Sequence, residues 1–303
     1  VYIHRVKVMK KKNILLGILL LFIFAHCKND SNKKNQSGDL KSQGQFSLPD
    51  YWKNPTVWQW QREAARTDFI PYENFERAKS KSHPNDTYFK NLNGFWKFKS
   101  YEKVNSLPSD IISSTNLDQW DQMSIPNCME MRNIGKALFK NNKLPFTSDY
   151  PNLPENNQTT IFRRTIDIPL LWKDRDVQLI FEGVASAFFV YVNGELAGYS
   201  EDSRAISEFS IGKFTKIGIN EISVVVLKYC DGSYFENHNM WHLHGIYRNV
   251  YLISRPKIKI QDFYAKTLLM KDNTTGQVDL EIDISNSNQT LSSTQKITAL
   301  VLD

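Results

Sequence analysis

From Leu92 onward the chain runs in short stretches that alternate partly between apolar and polar residues, the two-residue period of half-buried strands. Gly94–Phe98, Ile161–Ile168 and Val177–Phe181 carry this pattern, and Glu221–Leu227 and Tyr247–Ser254 supply further strands. The clearest hairpin runs from Phe188 to Tyr199 around Asn193-Gly194, a pair whose easy positive φ suits a type I′ turn. No amphipathic helix of convincing length lies between these runs. The pattern predicts an all-β antiparallel sandwich and excludes a barrel of alternating strands and helices. Pro256 marks a boundary, after which Ile258–Leu269, Val278–Ile284 and Ile297–Leu302 read as strands of a second sandwich. About three strands are too few to close such a domain, which needs about seven. The second unit is therefore expected to be incomplete, with open sheet edges.

The first 90 residues follow other rules. Met9-Lys10-Lys11-Lys12 is a positively charged stretch, and Ile14–Ala25 is an apolar run interrupted by Gly17. That run is shorter than the roughly 18–20 residues needed to span a bilayer, so it reads as a signal peptide over residues 1–26, with Met9 as the start. It ends in Phe24-Ala25-His26-Cys27, the form of a bacterial lipoprotein signal that would leave Cys27 lipidated at the mature N-terminus, although His26 is large for its position. A plain cleaved signal is the alternative, and both place the protein outside the cytoplasm, in the periplasm or on the outer membrane. Residues 27–47 are polar and read as a flexible tether. Leu48–Lys90 is aromatic-rich without clean periodicity and reads as an extended arm laid on something larger, so that residues 48–255 form one unit and 256–303 the next.

Charge then removes one class of partner. The chain carries 38 Lys and Arg against 32 Asp and Glu, a formal +6. Arg5, Lys7, Lys10, Lys11 and Lys12 all precede Cys27, where no acid occurs. Without them the balance is close to neutral, and no field for nucleic acid remains.

Several stretches in order resemble glycoside hydrolase family 2, in its β-galactosidase branch. They are Tyr51-Trp52-Lys53-Asn54-Pro55, Phe69-Ile70-Pro71-Tyr72, Leu92–Phe98, Phe181–Phe188, Val192–Glu195, Gly198–Arg204, Asp231–Glu236 and Met240–Leu252. The resemblance implies a galactose-binding-like jelly roll, then an immunoglobulin-like sandwich, then a catalytic (β/α)8 barrel. A barrel needs about 250 residues. The two glutamates of a retaining glycosidase, about 5 Å apart, sit on that barrel in the family, so no catalytic residue is expected in this chain.

The same resemblance singles out Asp231. In the family this Asp contacts a galactose hydroxyl and helps hold sodium, and a carboxylate suits both tasks; a turn-capping Asp before Gly is the bland alternative. The family's second sugar contact is an Asn, and Pro126-Asn127-Cys128-Met129 places Cys128 there, with Asn127 next to it. The loop departs further at Asn133, Ile134 and Ala137, and Asn239 replaces an acid, while Asn141, Pro145 and Phe146 still fit. The departures leave the sugar open between a β-galactoside and a related glycan. Sodium and magnesium are implied for the complete enzyme, and assembly of copies is implied through the arm, Tyr51 to Tyr72. Cys128 and Cys230 either form a disulfide in an oxidising compartment or stand as two separate thiols. The His242-Leu243-His244 pair lacks further zinc ligands in sequence and reads as structural. Glu201 and Asp202 are neighbours expected to face opposite ways. Three readings follow: the N-terminal part of an exported β-galactosidase-type glycosidase, a free-standing carbohydrate-binding lipoprotein, or the product of a broken gene.

Overall fold

A computed structural model describes residues 2–10, 47–80, 87–140, 144–146, 149–236, 239–272, 276–287 and 296–300. The strands in chain order are β1 (Tyr2–Lys10), β2 (Gln59–Trp60), β3 (Phe89–Asn91), β4 (Gly94–Tyr101), β5 (Asp121–Ile125), β6 (Leu138–Lys140), β7 (Thr159–Ile168), β8 (Asp176–Phe181) and β9 (Val184–Ala185). They continue with β10 (Ala187–Val192), β11 (Glu195–Ser200), β12 (Ser207–Ser210), β13 (Gly218–Leu227), β14 (Met240–His242), β15 (Gly245–Ile246), β16 (Val250–Arg255), β17 (Ile258–Leu269) and β18 (Gly276–Asn286). Among the described residues helix is confined to α1 (Phe75–Ser80), α2 (Ser233–Glu236) and a few single turns.

Two sheets make the sandwich, one in the order β2-β11-β10-β13-β7-β4-β5 and the other β12-β8-β16-β3. Between them lie Trp96, Phe162, Leu179, Phe181, Phe188, Val190, Phe209, Val224 and Leu252, all fully buried. Strand β10 shows why the larger sheet is buried on both faces. Phe188, Val190 and Val192 point into this core, while Phe189 and Tyr191 join an outer layer. That layer is roofed by Leu48 from the arm and by Leu107, Ile111, Ile112 and Trp120. A strand covered twice loses its alternation and becomes a continuous apolar run, as Ala187–Val192 is.

The hairpin forms where the pattern predicts it. Strands β10 and β11 pair antiparallel with Val192 opposite Glu195. Asn193 (φ 51°) and Gly194 (φ 88°) take up the left-handed turn, and the Asn193 side chain also ties Phe214 and Asn220 to it at 2.8 Å each.

The arm closes the sandwich edge. Gln59 and Trp60 pair with Ser200 and Tyr199 of β11, Arg62 bridges to Phe209 of β12, and Glu63 N–H donates to the Glu208 carbonyl at 2.8 Å. One extended segment thus pairs with one edge of each sheet, along β11 and β12.

Strand β16 ends at Arg255, and β17 opens a separate three-stranded sheet, β1-β18-β17. Among the described residues two of the three strands expected after Pro256 form; 297–300, the described part of Ile297–Leu302, is not strand. Instead Tyr2–Lys10, read from sequence as part of a leader, runs parallel to β18. The apolar run, Cys27 and Asn141 lie outside the described residues, as does all of the tether except Ser47.

At Gly198 the Phe209 ring of the facing sheet packs against the bare backbone. A Cβ built there would sit 2.1 Å from the Phe209 ring. Gly198→Ala should destabilise the chain by roughly 1–3 kcal/mol, the cost of an overpacked core. An unchanged urea midpoint would show that the two sheets are not this close.

Candidate functional site

The loops at one end of the sandwich gather the residues singled out by sequence. The β5–β6 loop carries Asn127 and Cys128, and the segment after β13 carries Cys230 and Asp231. The β14–β15 segment, Met240 to Ile246, lies between and is held by backbone pairing. Asn127 N–H donates to the Ile246 carbonyl at 2.8 Å and Met129 N–H to the His244 carbonyl at 2.9 Å. Gly245, at φ 131°, lets this approach happen, since a Cβ there would lie 2.8 Å from the Asn127 carbonyl oxygen.

Asp231 opens the turn into α2. Its N–H donates to the carbonyl of Trp52 in the arm at 3.1 Å, and its Oδ1 accepts from Gly232 N–H at 3.0 Å. The residue is 3% exposed. The carboxylate turns inward to Glu201, with which it shares a hydrogen bond. Tyr199 Oη donates to Glu201 Oε1 at 2.5 Å. Burial first, then the Asp231 carboxylate, pushes the Glu201 acid up to about 8. Two carboxylates in a dry site cannot both ionise without cost, so the pair holds one proton near neutral pH.

Glu201, Cys230 and Asp231 have ligand atoms within 4.8 Å of one another, and among the described residues this is the one such group of His, Cys, Asp or Glu. The oxygens suit a hard cation and the thiol does not. The two carboxyls already face each other across a hydrogen bond. In this chain the group fits a shared proton better than sodium, and no second set exists among the described residues for magnesium.

Glu130, which the sequence reading passed over, is the second buried acid. Its Oε1 accepts from Lys228 Nζ at 2.7 Å and from His244 Nδ1 at 2.9 Å. Its Oε2 accepts from the His244 backbone N–H at 3.0 Å. Burial alone would raise this acid, but the His244 ring and Lys228 outweigh it and hold it down at about 2. His244 is fully buried with Thr160 Oγ1 3.4 Å from its other ring nitrogen, and burial lowers its pKa against the pull of Glu130. No zinc cluster forms around His242 and His244 among the described residues; both are interior side chains. Glutamate and lysine are ordinarily surface residues, so only their long-range pairing marks them.

The cysteines stay separate thiols. Burial and the nearby Glu130 push the half-buried Cys128 thiol up to about 11, which leaves it a poor nucleophile. Glu201 and Asp202 diverge as expected, Asp202 lying 3.6 Å from Arg62 of the arm. The arm packs on its own sandwich, with Tyr51 5.4 Å from Tyr199 between ring centres. Around this end the rings of Phe139 and Trp241 meet edge to face at 5.6 Å and remain half exposed.

Residues 89–256 match the model of glycosyl hydrolases family 2, sugar binding domain. The match begins at the first residue of β3 and ends one residue past β16, covering the sandwich and more than half of the chain. This chain belongs to glycosyl hydrolase family 2. A β-galactosidase of Psychromonas ingrahamii is 35% identical over 198 residues, 65% of this chain and 19% of that protein. A β-galactosidase of Priestia megaterium is 31% identical over 244 residues, 78% of this chain and 24% of that one. The chain thus spans about a fifth to a quarter of these curated relatives. In fold it resembles the β-glucuronidase of Bifidobacterium dentium complexed with coumarin-3-O-glucuronide (TM-score 0.50, 17% identity, 67% of this chain and 37% of that chain). It also resembles the β-glucuronidase of Ruminococcus gnavus (TM-score 0.50, 16% identity, 66% and 34%). The resemblance drawn from the ordered motifs holds: the jelly roll is this family's sugar-binding domain.

The two buried acids pull stability in opposite directions with pH. Glu130 is depressed below its unfolded 4.5, so its contribution is present above that pH and is lost as pH falls toward 2. Glu201 is raised from 4.5 to about 8. Its contribution is complete below 4.5 and is lost as pH rises through 8. Glu201→Gln should therefore raise Tm relative to the parent at pH 8 more than at pH 5. A Tm difference that stays constant between the two would rule out the shared proton.

Proposed function

We propose that this chain is the N-terminal, sugar-facing portion of an exported β-galactosidase-type glycosidase. Its loop end supplies one wall of a pocket whose catalytic barrel lies in the remainder of the longer protein. The observation that carries this reading is the match of the sugar-binding domain to two β-galactosidases at 31–35% identity, of which this chain spans a minor part. Support comes from the hydrogen bond between Glu130 and Lys228, which ties the loop carrying Asn127 and Cys128 to the segment that leads to Asp231. The substrate is a terminal β-galactoside or a related β-glycan.

Asp231 would accept a hydroxyl of the sugar once its carboxylate, 3% exposed and turned inward to Glu201 in the free chain, is uncovered by exchange of that partner for the sugar. In the free chain Glu201 already presents it with an O–H donor, and a sugar hydroxyl is the same kind of donor. Asn127 adds an amide, which both donates and accepts, whereas Cys128 offers a weak thiol in place of the family's amide. Sodium, where the complete protein uses it, would draw on Asp231 together with oxygens outside this chain. Export rests on the charged stretch at Met9–Lys12, the apolar run and Cys27, which would carry the lipid anchor.

Titration of the purified chain with methyl β-D-galactopyranoside should show weak saturable binding, and Asp231→Ala should weaken it about tenfold or more, the loss of a hydrogen bond to a charged group. The chain alone should release no product from a chromogenic β-galactoside. Turnover by the isolated chain, or binding indifferent to Asp231, would overturn the assignment. Cys27→Ser should move the expressed protein out of the membrane fraction; retention there would exclude the lipid anchor.

A further inference from the structure

The strongest unassigned feature is the buried ionic group under the β5–β6 loop. Glu130 belongs to that loop, Lys228 to the strand end three residues before Asp231, and His244 to the β14–β15 segment. The Glu130 carboxylate takes three donors from the other two segments, Lys228 Nζ at 2.7 Å and the His244 ring and backbone N–H at 2.9 Å and 3.0 Å. Both side-chain partners are buried, with His244 wholly enclosed. Lys228 Nζ also reaches the Lys136 carbonyl on the far side of the same loop at 3.5 Å. Without this carboxylate nothing in the β5–β6 loop would neutralise Lys228, and of the hydrogen bonds between this loop and the β14–β15 segment the two backbone bonds at Asn127 and Met129 would be left.

We infer that Glu130 is a positioning residue, the anchor that fixes the Asn127–Cys128 loop against the strand end leading to Asp231 and so sets the spacing between the two sugar-contacting loops. It acts through its partners and touches no sugar itself. The link to sugar rests on the proposed function; the anchoring of the loop does not.

The argument turns on charge as well as shape, which makes it testable. Glu130→Gln keeps the outline of the side chain. The amide can accept from His244 N–H and donate to His244 Nδ1, but it leaves Lys228 as a buried cation without its counter-charge. Removing one partner of a buried pair costs far more than replacing both. Glu130→Gln with Lys228→Met removes both charges and keeps the hydrogen bonds to His244.

Cys128, half-buried in the same loop, reports on its position. In the full chain, alkylation of Cys128 by iodoacetamide, followed by mass spectrometry of its peptide over a pH series so that each variant's rate is taken per thiolate and the direct effect of the Glu130 charge on the thiol drops out, should be slow. Glu130→Gln should speed it by about tenfold or more, in line with an unpaired buried charge, and the double variant should return it to about the parent rate. A folded Glu130→Gln that alkylates at the parent rate would overturn the anchor. So would a double variant that alkylates as fast as the single one or does not fold; if only the single variant fails to fold, a folded, slowly alkylated double variant supports it. In parallel, methyl β-D-galactopyranoside affinity should follow the same order. A chain with this alkylation pattern but no galactoside binding would overturn the sugar reading and leave the anchor standing.

Discussion

Each sheet of an open sandwich ends in a strand whose outer N–H and C=O groups lack partners, and here one arm pairs with one such edge of each sheet. Gln59 and Trp60 lie along β11, while Arg62 and Glu63 lie along β12. This bridging does more than protect edges. The same arm passes under the loop end, where the Trp52 carbonyl accepts from Asp231 N–H and the Trp58 carbonyl from Glu201 N–H, both at 3.1 Å. Arg62 lies 3.6 Å from Asp202. The arm that closes the fold therefore also fixes the backbone of both members of the Glu201–Asp231 pair. Sugar-binding residues on loops need such a rigid support, because loops have few contacts of their own.

The loop end contains two buried carboxylate systems with opposite electrostatic solutions. Glu130 has a lysine and a histidine as partners and stays charged. Glu201 has a carboxylate and a phenol, and keeps its proton. A protein interior tolerates a carboxyl group in either form only when its hydrogen bonds match that form. The first arrangement suits a fixed structural link. The second leaves Asp231 already receiving an O–H, which is the chemistry required of a residue that accepts a sugar hydroxyl. Phe139 and Trp241, packed edge to face on β6 and β14, and Phe235 of α2 leave apolar surface exposed.

Most of the sandwich strands were legible in the sequence because their hydrophobic period is local. The Asn193-Gly194 turn, for one, can be followed in a stretch of ten residues. Short edge strands such as β12 and β3 were not, because four or three residues do not establish a period. The strand expected at Ile297–Leu302 carried an adequate pattern, but a pattern supplies only one face and needs a neighbour to pair with. The two-residue pairings of β9 with β15 and of β2 with β11 are likewise made by the fold.

By itself, then, the sequence determined the sandwich class, the order of the family motifs and the residue types available for sugar. Which carboxylate meets which partner was decided only in three dimensions. Glu130 and His244 are 114 positions apart, and Glu201 meets Asp231 rather than its neighbour Asp202. Hydrophobic periodicity is a property of adjacent residues, whereas the protonation of an acid depends on what covers it and what charge lies within a few ångströms. Those distances exist only once the arm and the loops have converged on the end of the sandwich.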